Sequence, residues 1–236
     1  MANYRIADIT VEMQPRYALL KNRAELFRED DALTPDLKVL FSDESLAVKQ
    51  QANPNHSAEQ IEYLFTGAKL AGKLWHVDAT MIHASAIEVD GRAYVFSGDS
   101  GVGKTTHTKR WLERFGDRAR LINDDKPIIR KRPTGFFVYG SPFSGTCDEN
   151  FQLCAPLAAI IFLKQAHRDE VYRLNAADAV KRLAQQCGIS RFPRAATARL
   201  ELFAQLIETV PIGEMGCTLS EHAVDAAYQW IEENRL

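Results

Sequence analysis

The chain has 236 residues, of which 46% are hydrophobic and 25% charged, and its 29 basic and 31 acidic residues leave a formal net charge of −2. A chain of this length and balance can bury a core of its own, which excludes disordered, collagen-like and fibrous proteins. The near-neutral charge and the lack of basic blocks argue against nucleic acid or an anionic membrane as a dedicated partner.

The first predicted elements are short strands joined by loops. Residues 7–13 alternate between apolar and polar side chains, and a second strand is expected at 36–41, after a Thr-Pro turn. The polar, turn-rich segment 50–60 marks the main internal boundary. We therefore expect a strand-rich N-terminal lobe at 1–50 and a core with C-terminal helices at 51–236, the two forming one compact unit.

A helix is predicted to begin after Ser57. Ser57 and Gln60, three residues further on, form the sequence pattern of a capping box, in which each side chain satisfies the other residue's backbone amide. Apolar residues then recur at helical spacing as far as Trp75, which predicts that one face of this helix is buried.

A β-hairpin is predicted next, with strands at 83–89 and 92–98. Asp90 and Gly91 lie between two apolar runs, which is a strong signal for a two-residue hairpin turn. The second strand leads directly into a glycine-rich segment, and a helix is predicted to follow from Lys104 to Phe115.

The rest of the chain mixes strands and helices. The apolar run 155–163 predicts a buried central strand, and Asn175 is the predicted cap of a helix ending near Cys187. Further strands are expected at 120–124, 126–130, 136–140 and 215–219, and further helices at 194–210 and 220–234. Because an antiparallel hairpin feeds the glycine-rich segment, the predicted fold class is α/β with a mixed sheet and flanking helices.

The glycine-rich segment GDSGVGKT matches G-x-x-x-x-G-K-[ST], the Walker A motif or P-loop, in full. Backbone amides of such a loop converge on phosphate oxygens at the N-terminus of the next helix. Lys104 can reach the β- and γ-phosphates, and the Thr105 hydroxyl can ligate Mg²⁺. The motif therefore predicts binding of ATP with Mg²⁺. The predicted nucleotide-binding residues are Gly98, Asp99, Ser100, Gly101, Val102, Gly103, Lys104, Thr105 and Thr106.

Two acidic residues, Asp124 and Asp125, end the predicted strand that follows this helix. One carboxylate can hold Mg²⁺ while the other accepts a proton from an attacking hydroxyl, and the spacing leaves open which does which. His83 opens the first hairpin strand, so it reaches the loop only if the hairpin register allows. His107, within the helix after the loop, can face the nucleotide or pack on the sheet.

Two further segments are candidates for ligand contact. Residues 139–146 contain two glycines and small hydroxyl residues after a strand, among them Ser144, which is typical both of a loop that approaches a ligand and of an ordinary turn. Arg191 and Arg194 can clamp phosphate or be ordinary surface arginines.

Over residues 80–165 these features resemble the HPr kinase/phosphorylase family and its shorter bacterial relatives, and the same P-loop type occurs in phosphoenolpyruvate carboxykinases. The stretch HASAIEVDGRAYVFSGDSGVGKT is similar to that family's segment of histidine, hairpin strand and Walker loop, and RLINDD is similar to its next strand. Residues 165–236 lack the Glu-x-Arg-Gly segment with which HPr kinases handle their protein substrate.

The resemblance implies an ATP-dependent kinase in which Asp124 transfers the proton, assisted by His83, and Lys104 offsets charge on the phosphoryl group. It implies that Asp125 helps to hold the metal, together with Thr105. The acceptor is then a serine or threonine of a peptide or protein, or a small-molecule alcohol. Two alternatives stay open: a nucleotide-binding regulatory protein without transfer activity, and a phosphorylase or carboxykinase-type enzyme.

The four cysteines, Cys147, Cys154, Cys187 and Cys217, show no metal-ligand spacing. We expect them to be reduced, buried thiols that form no structural disulfide and bind no zinc. The sequence shows no apolar run of signal-peptide length at its N-terminus and none long enough to span a membrane, so a cytoplasmic location is expected.

Overall fold

A computed structural model describes residues 1–145, 151–188, 190–218 and 220–235, and within them strands and helices form an α/β protein. The strands are β1 (Ala2–Ile6), β2 (Ile9–Met13), β3 (Leu37–Val39), β4 (Ala79–Met81), β5 (Ala84–Val89), β6 (Arg92–Ser97), β7 (Ala119–Asp125), β8 (Ile128–Arg132), β9 (Gly135–Tyr139), β10 (Cys154–Gln165), β11 (Glu170–Arg173) and β12 (Ile212–Cys217). The helices are α1 (Ala18–Glu25), α2 (Asp43–Ala52), α3 (Ala58–Ala71), α4 (Lys104–Phe115), α5 (Ala176–Cys187), α6 (Pro193–Thr209) and α7 (Glu221–Glu233).

The N-terminal region forms a three-stranded sheet in which β2 lies between the antiparallel β1 and the parallel β3. The expectation that residues 1–50 contain only strands and loops is wrong, because α1 and α2 also form there. Each of these helices buries at most two residues, so neither shows a clear apolar period in the sequence. The Ser42 hydroxyl caps α2 by accepting a hydrogen bond from the Ser45 amide.

The larger sheet is mixed and is centred on β10. Its strand order within the described residues is β4-β8-β9-β10-β6-β5-β7, and β12 pairs with both β10 and β11. Strand β10 is parallel to β6 and β12 and antiparallel to β9. Residues 159–163 are buried, which confirms the predicted central strand.

The register of β5 brings three parts of the chain to one edge of this sheet. Ala84, at the start of β5, pairs with Ser97 at the end of β6 and with Asp125 at the end of β7. The glycine-rich loop follows Ser97, and His83 precedes Ala84. The loop, the histidine and the paired aspartates therefore meet at the same edge, although they are far apart in sequence.

Most of the predicted elements of the larger sheet and its helices are confirmed with small shifts in their ends. The Asp90-Gly91 turn joins β5 to β6, the capping box of Ser57 and Gln60 begins α3, and the Asn175 side chain caps α5. Sequence reasoning misses β1, β4 and β11, because segments of three to five residues are too short to show a period. Leu219, the last residue of a predicted strand, lies outside the described residues.

One hydrophobic cluster joins the N-terminal sheet to the larger sheet. Ile6 and Val11 of the first sheet belong to it, together with Leu70 of α3, Ile128 of β8 and Phe143. The division of the chain into 1–50 and 51–236 stays a prediction. None of the helices in the described ranges is long and apolar enough to cross a membrane.

Candidate functional site

The glycine-rich loop connects the end of β6 to the start of α4, which is the strand–loop–helix context that the motif requires. Gly98 has a φ of 143°, and a Cβ there would lie 2.7 Å from the carbonyl oxygen of Leu163 in β10. Gly103, the residue before α4, has a φ of 108°. Glycine meets both demands because it has no Cβ. The loop thus lies against β10, beside the unpaired amides of the α4 N-terminus, where an anion is favoured.

Lys104, the first residue of α4, is buried and turned back over the loop. Its Nζ donates hydrogen bonds to the carbonyl oxygens of Gly98, at 2.9 Å, and Asp99, at 3.0 Å. Burial lowers the pKa of Lys104, and the nearby carboxylates of Asp125 and Asp124 oppose that shift. The ammonium group therefore lies inside the loop, paired with neutral carbonyls that a phosphate oxygen can replace.

Thr105 is paired with Asp124. The Thr105 hydroxyl lies 3.0 Å from each carboxylate oxygen of Asp124, whose exposed fraction is 7%. A hydroxyl and a buried carboxylate are hard oxygen ligands of the kind Mg²⁺ prefers, and Mg²⁺ takes its other ligands from water and phosphate. Among the described residues, no group of three or more His, Cys, Asp or Glu could hold a metal ion. The Thr105–Asp124 pair therefore fits an ion that arrives with phosphates.

Asp125 is paired with His83. Its Oδ1 lies 3.3 Å from His83 Nε2 and 3.0 Å from Lys126 Nζ. Neighbouring residues of a regular strand place their side chains on opposite faces, but Asp125 has a φ of 123° and leaves the strand geometry. Positive φ is uncommon outside glycine and is best tolerated by Asn and Asp, and such strain concentrates at functional sites. Both carboxylates thus remain at the same edge of the sheet.

These contacts differ from the assignment that the sequence analysis gives to the two aspartates. It pairs Asp125 with Thr105 at the metal and makes Asp124 the base, whereas the structure places Asp124 on Thr105 and Asp125 on His83. Thr105 of α4 contacts Asp124, while Asp125 pairs with Ala84 in register and so lies beside His83. A sequence pattern does not reveal this register.

His83 is held by its backbone at the junction of three elements. Its amide donates to the carbonyl of Gln186 at 3.0 Å, and its carbonyl accepts from the Ser97 hydroxyl at 2.8 Å. Burial lowers the pKa of His83, and the charges of Lys126 and Lys104 lower it further, against the opposing effect of Asp125. The imidazole is therefore neutral near pH 7 and can donate one N–H to Asp125.

The segment after β9, which the sequence leaves open as a ligand loop or an ordinary turn, lies against the two aspartates. The Gly145 amide donates to the Asp124 carbonyl at 2.7 Å, and Ser144 forms an isolated β-bridge with Asp125. Arg23 of α1 donates to the carbonyl oxygens of Ser144, at 2.8 Å, and Gly145, at 2.9 Å. An N-terminal helix thus holds this segment against the strained aspartate.

The glycine-rich loop borders a pocket of about 420 Å³ with two cationic side chains in its lining. Lys164 and Arg182 line it together with residues 98–102, and both cations contact the buried Glu214 carboxylate. Burial raises the pKa of Glu214, but hydrogen bonds from Tyr172, Lys164 and Arg182 outweigh it and lower the pKa to about 2. One carboxylate thus fixes two cations beside the loop, an arrangement suited to a polyanion.

Three other candidate side chains lie in different surroundings. His107 is fully buried, its Nε2 accepts from the Trp111 indole at 3.0 Å, and burial lowers its pKa to about 4. It therefore packs on the sheet as a neutral group and does not face a nucleotide. Arg191 and Arg194 are exposed near the start of α6.

The remaining candidates can be placed individually. Asp99, Ser100, Gly101 and Thr106 are exposed, and Val102 is half-buried. Ser144 Oγ is buried and has no hydrogen-bond partner among the described residues. Residues 146–150, which include Thr146 and Cys147, lie outside the described residues. The expectation of buried thiols is wrong for Cys154, which is exposed because it starts β10 at the open end of the sheet.

Sequence reasoning misses Arg23, Arg182 and Gln186. Arg182 and Gln186 are four residues apart and lie on one face of α5, where both line the pocket beside the loop. That spacing becomes a signal only once the pocket is known. Arg23 lies 121 residues from Ser144 in the chain, so nothing local indicates their contact.

The fold and site define an α/β protein with a glycine-rich loop, a hydroxyl–carboxylate pair and an imidazole–carboxylate pair at one edge of a mixed sheet. The chain belongs to the family of SynChlorMet cassette protein ScmC, whose family model matches residues 66–212. Among curated proteins, none matches the chain. The Hpr(Ser) kinase/phosphatase from Coxiella burnetii is a similar solved structure, with 10% identity and a TM-score of 0.38 over 65% of this chain and 93% of that one. A TM-score this low does not establish a shared fold.

Proposed function

We propose that this protein is a kinase that uses Mg·ATP to phosphorylate a hydroxyl acceptor. The observation that carries the proposal is the presence of two different pairs beside one Walker A motif. Thr105 and Asp124 lie 3.0 Å apart, and His83 and Asp125 lie 3.3 Å apart. Binding of a nucleotide requires the first pair only. The second provides a base for an acceptor proton, which favours phosphoryl transfer over a regulator that merely binds nucleotide.

The nucleotide phosphates bind to the amides of residues 98–105 and to the N-terminus of α4. Lys104 exchanges its two carbonyl partners for phosphate oxygens, and its positive charge then offsets the charge that develops during transfer. Arg182 and Lys164, held by Glu214, extend the positive surface along the same side of the loop. These side chains position the phosphates and account for the affinity of the site.

Thr105 and Asp124 are the residues that would hold Mg²⁺. An ion held there would neutralise part of the charge of the phosphates. Asp124 suits this role because its carboxylate is buried and faces a hydroxyl, so a cation there removes the cost of an unneutralised buried charge. The hydroxyl of Thr105 orients the carboxylate before any ligand arrives.

Asp125 is the residue to which we assign the acceptor proton, in place of the Asp124 of the sequence analysis. Its Oδ1 lies 3.3 Å from His83 Nε2, whereas the Thr105 hydroxyl contacts Asp124. His83 is a positioning residue, because its neutral imidazole fixes the carboxylate with one N–H. Asp125 accepts the proton of the acceptor hydroxyl as the oxygen of that hydroxyl attacks the γ-phosphorus of ATP. The bond from the γ-phosphorus to the β,γ-bridging oxygen breaks, and ADP leaves.

The test is transfer from γ-labelled ATP, with the labelled product identified by mass spectrometry after incubation with a cell extract. Lys104→Ala should weaken nucleotide binding and abolish labelling while preserving the fold. Lys109→Ala is the matched control, because Lys109 lies exposed on the same helix. Normal labelling by Lys104→Ala, or the absence of Mg-dependent ATP binding by the unmodified protein, would overturn the proposal.

A further inference from the structure

A second pocket, of about 220 Å³, lies beside His83. His83, Asp125 and Lys126 form its polar part, and α3 supplies much of the rest of its lining. Resting on the function proposed above, we propose that this pocket binds the apolar body of the acceptor, so that the substrate is an alcohol with an aliphatic or aromatic group next to its hydroxyl.

The lining of this pocket is mainly apolar. Leu64, Ala68 and Ala71 line it from α3, and the buried side chains of Met81 and Phe143 line it as well. Small residues on α3 leave the space open. The hydroxyl or charged groups of a polar ligand would give up their hydrogen bonds to water at these walls and find no replacement partners there. The free energy of binding would therefore be unfavourable for such a ligand. A hydrocarbon group suits them because its burial is favourable.

Phe143 has a defined place in this wall. A Cβ added at Gly67 would lie 2.9 Å from the Phe143 ring, so the ring packs directly on the backbone of α3. Tyr63, one turn earlier on α3, contacts the same ring with centroids 5.4 Å apart, and its hydroxyl donates to the carbonyl of Ser144. The apolar wall is therefore joined to the segment that lies against Asp125.

The polar part of the pocket is where the acceptor hydroxyl would lie. Asp125 and His83, the proposed base and its positioning residue, both line the pocket. Gln186 lines this pocket and also the pocket beside the loop, so the two cavities are neighbours. A hydroxyl at Asp125 can thus face a phosphoryl group on the loop while its hydrocarbon body lies between α3 and Phe143.

The same chemistry can come from two sources: a free apolar alcohol, or a serine or threonine in a peptide with a large apolar side chain beside it. Both place one hydroxyl and one hydrocarbon group within the length of the pocket. A free sugar or polyol does not fit, since its several hydroxyls would face apolar walls.

The first experiment measures binding without nucleotide, so it does not depend on catalysis. The probe is 4-fluorobenzyl alcohol, followed by fluorine NMR. Ala68 is exposed on α3 and lines the pocket, so the larger side chain of Ala68→Phe should occupy the space for the probe. Because even one methylene group changes binding in an apolar pocket by about tenfold or more, Ala68→Phe should weaken binding of the probe by at least that factor. Ala58→Phe, exposed on the same helix but outside the pocket, should bind as the unmodified protein does.

The second experiment measures transfer from Mg·ATP to ethanol, 1-butanol and 1-hexanol, and to the blocked dipeptides Ser-Ala and Ser-Phe. In the unmodified protein kcat/KM should rise with the apolar group in at least one series, and Ala68→Phe should remove that rise. A rise with the dipeptides alone identifies a peptide substrate, and a rise with the alcohols alone identifies a small molecule.

The outcomes separate the two proposals. If the probe does not bind, or binds equally well to Ala68→Phe, while an acceptor in the extract is still labelled, the proposal of an apolar acceptor pocket is wrong and the kinase proposal stands. Probe binding that is lost in Ala68→Phe, with no transfer from ATP to any acceptor, overturns the kinase proposal and leaves an apolar ligand site. Transfer that is independent of the size of the apolar group overturns the substrate class.

Discussion

Two amide variants test directly whether Asp124 holds Mg²⁺ and Asp125 accepts the proton. Asn is the right replacement at both positions because it keeps the size of the side chain. At Asp125 it also tolerates the positive φ of 123°, so the backbone should not change. Each variant removes one negative charge, and the structure predicts that the two losses affect different quantities.

Asp124→Asn should weaken the coupling between Mg²⁺ and the nucleotide. The carboxylate faces the Thr105 hydroxyl with both oxygens at 3.0 Å, and an amide retains only one acceptor and no charge. A hydrogen bond to a charged group contributes about 1.5–3 kcal/mol, which corresponds to roughly 10–100-fold in affinity. The ratio of nucleotide Kd without and with Mg²⁺ should fall by that factor, and transfer should recover in part at high Mg²⁺.

Asp125→Asn should leave Mg·ATP affinity nearly unchanged and reduce kcat by about 10²–10⁴-fold, the usual contribution of a general base. High Mg²⁺ should not restore it. The matched control is Asp117→Asn, an acid-to-amide change at an exposed position between α4 and β7. Titration calorimetry at several Mg²⁺ concentrations gives the first quantity, and labelled transfer gives the second. If Asp125→Asn transfers phosphate normally while Asp124→Asn is inactive even at saturating Mg²⁺, Asp124 is the base, as the sequence analysis assigns it, and our assignment of Asp125 is wrong.

Three further predictions concern charge near the site. Lys104→Ala should lower ATP affinity by at least tenfold with an unchanged melting temperature, whereas Lys109→Ala changes neither; equal affinities would contradict the role of Lys104. In an NMR pH titration, the pKa of His83 should lie below the usual value of 6.5. Lys126→Gln should raise the pKa of His83, because a nearby positive charge is lost. A pKa of His83 that is unchanged or lower in Lys126→Gln would contradict an effect of the Lys126 charge. Glu214→Gln should lower the melting temperature at pH 7. Because the pKa of Glu214 is lowered from 4.5 to about 2, the difference in melting temperature between the variant and the unmodified protein should shrink as the pH falls from about 4.5 toward 2. A difference that stays constant over this range would indicate an effect of packing and not of charge.

The sequence predicts the parts of the site that depend on local pattern. The hairpin turn at Asp90-Gly91 and the start of α4 each depend on neighbouring residues, and the structure shows them where expected. The contacts of Asp124 and Asp125 do not follow from local pattern, because they depend on the register of β7 against β5. Restriction of the residue before Pro127 suggests a turn there but does not give its direction.

Contacts between distant parts of the chain explain the remaining differences. Helix α1 has a weak apolar pattern with two buried residues, so it is invisible to periodicity, yet its Arg23 reaches the segment beside Asp125. Glu214 in β12 fixes Arg182 of α5 and Lys164 of β10, three elements that only the completed sheet brings together. Such contacts depend on strand order, which the sequence pattern did not specify.

The groups around Asp125 explain how its strained backbone conformation is maintained. A non-glycine residue at positive φ costs of order 1–3 kcal/mol and persists only where its surroundings over-determine it. Here Oδ1 of Asp125 lies within 3.3 Å of His83 and 3.0 Å of Lys126, and the bridge to Ser144 holds its backbone. Positive φ alone does not mark a site, because Asp8, Asp78 and Asp90 also have it in this chain. What distinguishes Asp125 is that an imidazole and an ammonium group contact its carboxylate, and this supports the proposal that it faces a substrate.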